Sequence, residues 1–193
     1  MTTLIFATNN QHKVDEIRTV IGAKFHIITL QEAGIDIDIP EPHDTLEKNA
    51  AEKSFVIHNL TQQNCFGEDT GLEVDALNGA PGVKSARYAG DGRNFQANID
   101  KLLQNLEGIE SRTARFKTII SLVLNNQTYL FEGICEGSII ADQKGNKGFG
   151  YDPVFMPIGA TKTFAEMTME EKNGYSHRRK ATEKLVEFLM LPS

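Results

Sequence analysis

The sequence predicts an α/β protein built on a mixed β-sheet. Short apolar runs alternate with helical periodicities through the first third of the chain, the pattern of βα units. Further on, ARFKTIISLVL and QTYLFEGICEGSII, joined by Asn125-Asn126, read as one long antiparallel hairpin, which a purely parallel sheet does not contain. With 193 residues and 40% hydrophobic content, the chain is long enough for one sizeable core, and residues 1–193 are read as a single domain with two lobes.

The elements follow in order. TLIFA at 3–7 is a buried-strand run bounded by Asn9 and Asn10; Val14, Ile17, Val20 and Ile21 follow at helical spacing, and Gly22 closes that helix. FHIITL is the second strand. Asp44 with Glu47 makes a capping box for a helix that carries Leu46, Ala50, Lys53, Ile57 and Leu60 along neighbouring faces. GEDTGLEVDALNGAPG, 67–82, alternates as a strand does and stops at a Gly-Ala-Pro-Gly turn. Phe95, Ile99, Leu102, Leu103 and Leu106 form the clearest amphipathic helix, stopped by Gly108. After the hairpin comes a Gly-rich loop, then a short helix capped by Thr168 and Glu171. The last helix begins at Ser176 and buries Ala181, Leu185, Phe188 and Leu189.

Composition excludes several classes. The balance of 20 basic and 26 acidic residues gives a net charge of -6, which argues against a broad footprint for nucleic acid or an anionic membrane. Any anionic ligand must therefore meet a local cluster of cations. Cys65 and Cys135 stand far apart without metal-ligand spacing, so neither a disulfide framework nor a structural zinc site is expected. No signal-peptide pattern is present, and IISLVL, 119–124, is the longest apolar run, far short of a membrane span. The expected compartment is the cytoplasm.

Four segments carry polar residues that core packing does not require. ATNNQHK, 7–13, joins strand to helix, where free backbone N–H groups and the helix dipole favour a phosphate. Lys13 falls in the first helical turn, where a cation is mildly opposed by that dipole; a nearby anion explains it, and so does a plain solvated lysine. Glu41 lies between Pro40 and Pro42, which restrict the backbone and aim the carboxylate as a metal ligand requires, although acids beside loop prolines are common. Glu68 and Asp69 are adjacent on a strand and so point to opposite faces; a buried Asp69 needs a cation, which Mg²⁺ held by Glu41 and Asp69 supplies, and the alternative for each acid is a solvated strand or loop residue. GFGYDPVF and EKNGYSHRR offer an aromatic turn, a carboxylate and cations at a helix start, which serve either as packing or as a seat for a flat polar ring.

TNNxxK, EDTGLxVxALxGxPG, SARYAG at 85–90, GFGYDPVF and EKNxxSHR, in this order from Thr8 to Arg178, closely resemble the inosine triphosphate pyrophosphatase family, the dITP/XTP or non-standard purine nucleoside triphosphate pyrophosphatases. The resemblance implies an elongated, strongly twisted mixed sheet flanked by helices, with a cleft between two lobes. It also implies a homodimer and an Mg²⁺-dependent release of nucleoside monophosphate and pyrophosphate. Carried over by position, Thr8, Asn9, Asn10 and Lys13 would bind phosphates. Glu41 and Asp69 would hold the metal, with Asp69 as general base and Glu68 turned away or assisting from behind. Thr70, Lys53 and Lys172 would meet the triphosphate, and Phe149, Gly150, Tyr151, Asp152, His177 and Arg178 the base, with Phe149 stacking. Selection of a 6-oxo purine follows if Arg178 and backbone N–H groups donate to the keto oxygen, because adenine presents a donor there.

Glu68-Asp69-Thr70-Gly71 stands where Asp-Asp-Ser-Gly is common in bacterial members, Lys48-Asn49-Ala50 where Glu-Asn-Ala is common, and His43 replaces a small residue; the proposed catalytic positions are unchanged. Arg87 of SARYAG is a further candidate for a dimer or substrate contact. Two rivals stand beside this reading: a nucleotide-binding regulatory module without turnover, against which Glu41, Asp69 and Lys13 speak, and a phosphatase using Asp69 as nucleophile, for which the paired-aspartate motif is missing.

Overall fold

Strand β1 (Thr3–Phe6) has a parallel neighbour on each side. It pairs with β2 (His26–Thr29) from Thr3↔His26 to Phe6↔Thr29, and with β3 (Cys65–Val74) through Ile5↔Cys65 and Phe6↔Phe66. β4 (Pro81–Gly82) runs antiparallel to β3. β5 (Thr113–Leu124) and β6 (Gln127–Ile139) are the long hairpin, and β7 (Phe155–Pro157) runs antiparallel to β6. The computed structural model describes residues 3–21, 23 and 25–191. Among these, seven strands make one mixed sheet in the order β2-β1-β3-β5-β6-β7, with β4 attached to β3. The helices are α1 (Gln11–Ile21), α2 (Leu46–Thr61), α3 (Phe95–Asn105), α4 (Met169–Asn173) and α5 (His177–Leu189).

Local chemistry accounts for most boundaries. Asn125 and Asn126 both adopt positive φ, 51° and 64°, the backbone that a tight two-residue hairpin turn demands and that asparagine tolerates best after glycine. Gly108 closes the α3 region at φ 72°, and Thr168 with Glu171 forms the complete capping box of α4. The expected box at Asp44 is displaced by one residue: Thr45 is the N-cap of α2, its hydroxyl accepting the Lys48 amide at 3.2 Å. Lys48 then occupies the third helical position, so no reciprocal carboxylate closes a box. Leu60 is 58% exposed in the last turn of α2, off the buried stripe of Leu46, Ala50, Lys53 and Ile57. Gly22 lies outside the described residues.

The chain divides into two units. The first comprises the chain up to Asp69, Thr118–Gly133 and the chain from Arg178; the second comprises Thr70–Lys117 and Ile134–His177. In the first, strand alternation builds two apolar layers. Leu4, Phe6 and Phe66 pack with Val14 and Ile17 of α1 and Ala181 and Leu185 of α5, while Ile5, Ala7 and Cys65 pack with Ile57 of α2 on the other face. Phe6 and Phe66 stack across β1 and β3 with ring centroids 4.4 Å apart. The core of the second unit joins Leu72, Val74, Phe116, Cys135 and Phe155 to Ile99 and Leu102 of α3. No helix among the described residues is long and apolar enough to cross a membrane.

Candidate active site

Alternation along β3 decides where the two adjacent carboxylates go. Glu68 shares its face with Phe66, toward α1 and α5; Asp69 shares its face with Cys65 and Gly67, toward α2. Both are buried, Glu68 at 1% and Asp69 at 6% exposure, and each has its own cations. Glu68 does point away from Asp69, as expected, yet it is no idle neighbour. Its Oε2 lies 2.9 Å from Lys13 Nζ, and its Oε1 accepts from Arg178 Nε and Nη2 at 3.3 and 3.2 Å. Arg178 Nη1 also donates to Glu16. Lys13 and Arg178 thus face Glu68 and Glu16, and such pairing is the condition under which buried charge is tolerated. The anion that accounts for Lys13 in the first turn of α1 is thus the chain's own Glu68.

On the other face, the three ammonium hydrogens of Lys53 meet three acceptors: the Glu68 carbonyl at 3.0 Å, Asp69 Oδ1 at 2.9 Å, and the Glu41 carboxylate. Close packing makes this reach possible. A Cβ on Gly67 would lie 2.5 Å from the Ala50 carbonyl oxygen and 2.7 Å from Lys53 Cβ. Burial works against the Lys53 charge, but Asp69 and Glu41 more than offset it and hold its pKa above the ordinary lysine value. Asp69 moves upward: burial raises its pKa, and Glu41 adds to this, against the lowering by Lys53 and Lys13. Asp69 Oδ2 is buried and has no hydrogen-bond partner among the described residues. An orphaned carboxylate oxygen beside a second carboxylate suits a hard divalent cation. Among the described residues no group of three or more His, Cys, Asp or Glu side chains could hold a metal ion, so Glu41 and Asp69 would leave most coordination positions to phosphate oxygens and water.

Residues 8–10, the turn ahead of α1, are held by hydrogen bonds of Thr8, Asn9 and Asn10. Thr8 Oγ1 accepts the Asn10 amide at 3.1 Å, the Asn10 carbonyl accepts the Val14 amide at the head of α1, and Asn9 Nδ2 donates to the Ile37 carbonyl at 3.0 Å. Thr8, Asn9, Gln11, Thr29 and Asp36 line a cavity of about 530 Å³ in the first unit. Among the described residues that line it there is no Lys or Arg.

Thr70 and the C-terminal segments belong to the second unit. Phe149 is half-buried, and its backbone N–H donates to Asp152 Oδ2 at 3.0 Å. Gly150 takes φ 61° in this turn. The Asp152 carboxylate also accepts from Lys172 Nζ at 2.8 Å, and the Lys172 ammonium sits 5.5 Å from the Phe149 ring centroid. Tyr151 departs from expectation. Its side chain is in the core at 4% exposure, with the phenol donating to the Ser85 carbonyl at 2.9 Å. His177 is buried and stacks on Phe116 at 4.7 Å. Arg178, expected at the base, is 2% exposed in the first unit with its guanidinium engaged by Glu16 and Glu68, which hold its pKa above the ordinary value despite burial.

A profile of the Ham1 family matches residues 4–188. The chain belongs to the Ham1 family. It is 49% identical to the dITP/XTP pyrophosphatase of Porphyromonas gingivalis, over 98% of each chain, and 48% identical to that of Flavobacterium psychrophilum, over 96% of this chain and 97% of the relative. Among solved structures it is similar to the Ham1 protein of Staphylococcus aureus, with a TM-score of 0.88 and 39% identity over 97% of this chain and 98% of the other. The Coxiella burnetii HAM1 protein matches with a TM-score of 0.89 and 34% identity over 98% of both chains.

In this Ham1 chain the residue that sequence reasoning missed is Glu16. It lies two residues after Val14 and one before Ile17 on α1, so its place beside a buried stripe was visible, but its partner Arg178 lies 162 positions away. No periodicity carries that pairing.

Proposed function

We propose that this protein hydrolyses non-standard purine nucleoside triphosphates (dITP, ITP and XTP) to the monophosphate and pyrophosphate, as an Mg²⁺-dependent homodimer in the cytoplasm. The observation that carries this reading is Asp69: a buried carboxylate with raised pKa, one oxygen on Lys53 and the other without a hydrogen-bond partner among the described residues. The names of the relatives at 48–49% identity agree with it.

Asp69 takes the proton of the attacking water, a task for which a raised carboxylate pKa gives the stronger base. Phosphoryl transfer chiefly requires positioning and neutralisation of charge spread over phosphate oxygens. Lys13 and Lys53 supply fixed positive charge, and Thr8, Asn9, Asn10 and Thr70 supply polar contacts to the triphosphate. Glu41 and Asp69 would hold Mg²⁺, which adds Lewis-acid charge neutralisation at the phosphates when bound. Glu68, locked to Arg178, keeps Lys13 in place from behind β3. Phe149 offers the stacking face, with Gly150, Tyr151 and Asp152 forming its turn. Lys172, expected at the triphosphate but held by Asp152 beside the Phe149 ring, takes over with backbone N–H groups the donor role expected of Arg178 toward a 6-oxo purine, where adenine offers no acceptor. His177 supports that region from the Phe116 stack.

The decisive experiment incubates the protein and Mg²⁺ with dITP, XTP, ITP, GTP and ATP and identifies every product. Monophosphate and pyrophosphate in equal amounts from the 6-oxo substrates, with little from ATP, is the expected result; stepwise release of orthophosphate defeats the reading. Light scattering of the purified protein tests the dimer.

A further inference from the structure

A buried asparagine on the apolar face of α3 needs an explanation. Asn98 is 3% exposed beside Ile99 and Leu102, where a leucine would pack without polar demands. Its amide nitrogen donates to the Ser85 and Ala86 carbonyls at 3.4 and 3.1 Å, and its Oδ1 accepts the Ala89 amide at 2.7 Å. One side chain therefore satisfies three backbone groups of the SARYAG segment, each of which would be costly to bury unpaired.

Ser85 extends the chain of contacts. Its hydroxyl accepts the Leu72 amide of β3 at 2.8 Å and donates to the Gly82 carbonyl at 2.6 Å. Its carbonyl, already held by Asn98, accepts the Tyr151 phenol at 2.9 Å. Tyr151 in turn lies in the 149–152 turn that Asp152 closes onto the Phe149 amide. These residues lie in the second unit, and the path runs through the buried Asn98, Ser85, Tyr151 and Asp152.

We propose that Asn98 and Ser85 are positioning residues for base recognition, fixing the Phe149–Asp152 turn through the Tyr151 phenol. This rests on reading that turn as the base seat. A seat held in its bound geometry before the substrate arrives avoids the ordering cost of binding and keeps misfitting bases from being accommodated by loop movement. Neither residue touches the purine.

The test compares Tyr151→Phe, which removes one oxygen, Asn98→Leu, which removes the clamp with the same number of side-chain heavy atoms, and the double variant, in the Mg²⁺-loaded protein. KM for dITP is expected to rise about tenfold in each single variant with kcat within about twofold, and the preference for dITP over dATP to narrow. The double variant is expected to be no worse than the stronger single, because both act along one path. In parallel, hydrogen exchange of the Phe149 amide is expected to quicken in both singles. An unchanged Phe149 amide, or two effects that multiply in full, overturns the proposal. Faster exchange with unchanged KM and preference means the turn is held as proposed and the base-seat reading is what fails. If Asn98→Leu does not fold, Tyr151→Phe decides alone.

Discussion

Asp69 and Glu68 illustrate how two residues of the same chemistry, one bond apart in the chain, acquire different work from the face they occupy. Asp69 on the α2 face bonds Lys53 through one oxygen, and if it is the proposed base Asp69→Asn is expected to lower kcat by roughly 10²- to 10⁴-fold while the thermal transition stays near that of the parent; retained turnover removes it as the base. Glu68 on the α1/α5 face neutralises Lys13 and Arg178. Glu68→Ala leaves Lys13 and Arg178 facing Glu16, a net positive charge in a largely buried site, and is expected to cost about 3 kcal/mol in urea unfolding, whereas Arg178→Ala together with Glu68→Ala should cost less than the sum of the singles. Glu32 gives a separate residue-scale prediction. The Thr29 amide and the Arg18 guanidinium hold its carboxyl down from 4.5 to about 2. Because the folded pKa is below the unfolded one, its stabilising contribution is complete above the unfolded value and disappears as the pH falls toward 2. Glu32→Gln should therefore melt lower than the parent at neutral pH and converge with it near pH 2; an equal gap at both pH values contradicts the assignment.

At the scale of elements, boundaries depend on single hydrogen bonds. The sequence points to Asp44 as the cap of α2, and the Lys48 amide bonds the neighbouring Thr45 instead. Thr45→Ala is expected to destabilise by about 1 kcal/mol and Asp44→Ala by far less; the reverse order would restore the capping box at Asp44. The β5–β6 hairpin was legible for a stronger reason, since Asn125-Asn126 between two long β-branched and aromatic stretches has few other backbone solutions. The amphipathic period of α3 was equally plain, although it did not disclose that Asn98 on the same face serves a loop. The exposed Leu60 shows the limit of periodicity: it reports which residues are apolar, and the packing of α2 decides which of them are covered.

For the whole molecule, the two carboxylates of the proposed metal site contribute nothing to the apolar cores, which lie around Phe66, Ile57 and Leu102. Chelation with EDTA is therefore expected to abolish nucleotide hydrolysis while leaving far-UV circular dichroism unchanged; loss of helical signal on chelation would make the metal structural. The sequence by itself determined the α/β class, the mixed sheet and the ordered motifs from Thr8 to Arg178, because periodicity, turn residues and motif spacing are local properties of a chain. Only the tertiary structure decided that Lys53 joins Glu41 to Asp69, that Arg178 belongs to Glu16 and Glu68, and that Tyr151 faces Ser85. Those pairings form between residues far apart in the chain, and which partner a buried charge or hydroxyl finds is settled by the packing of strands and helices around it.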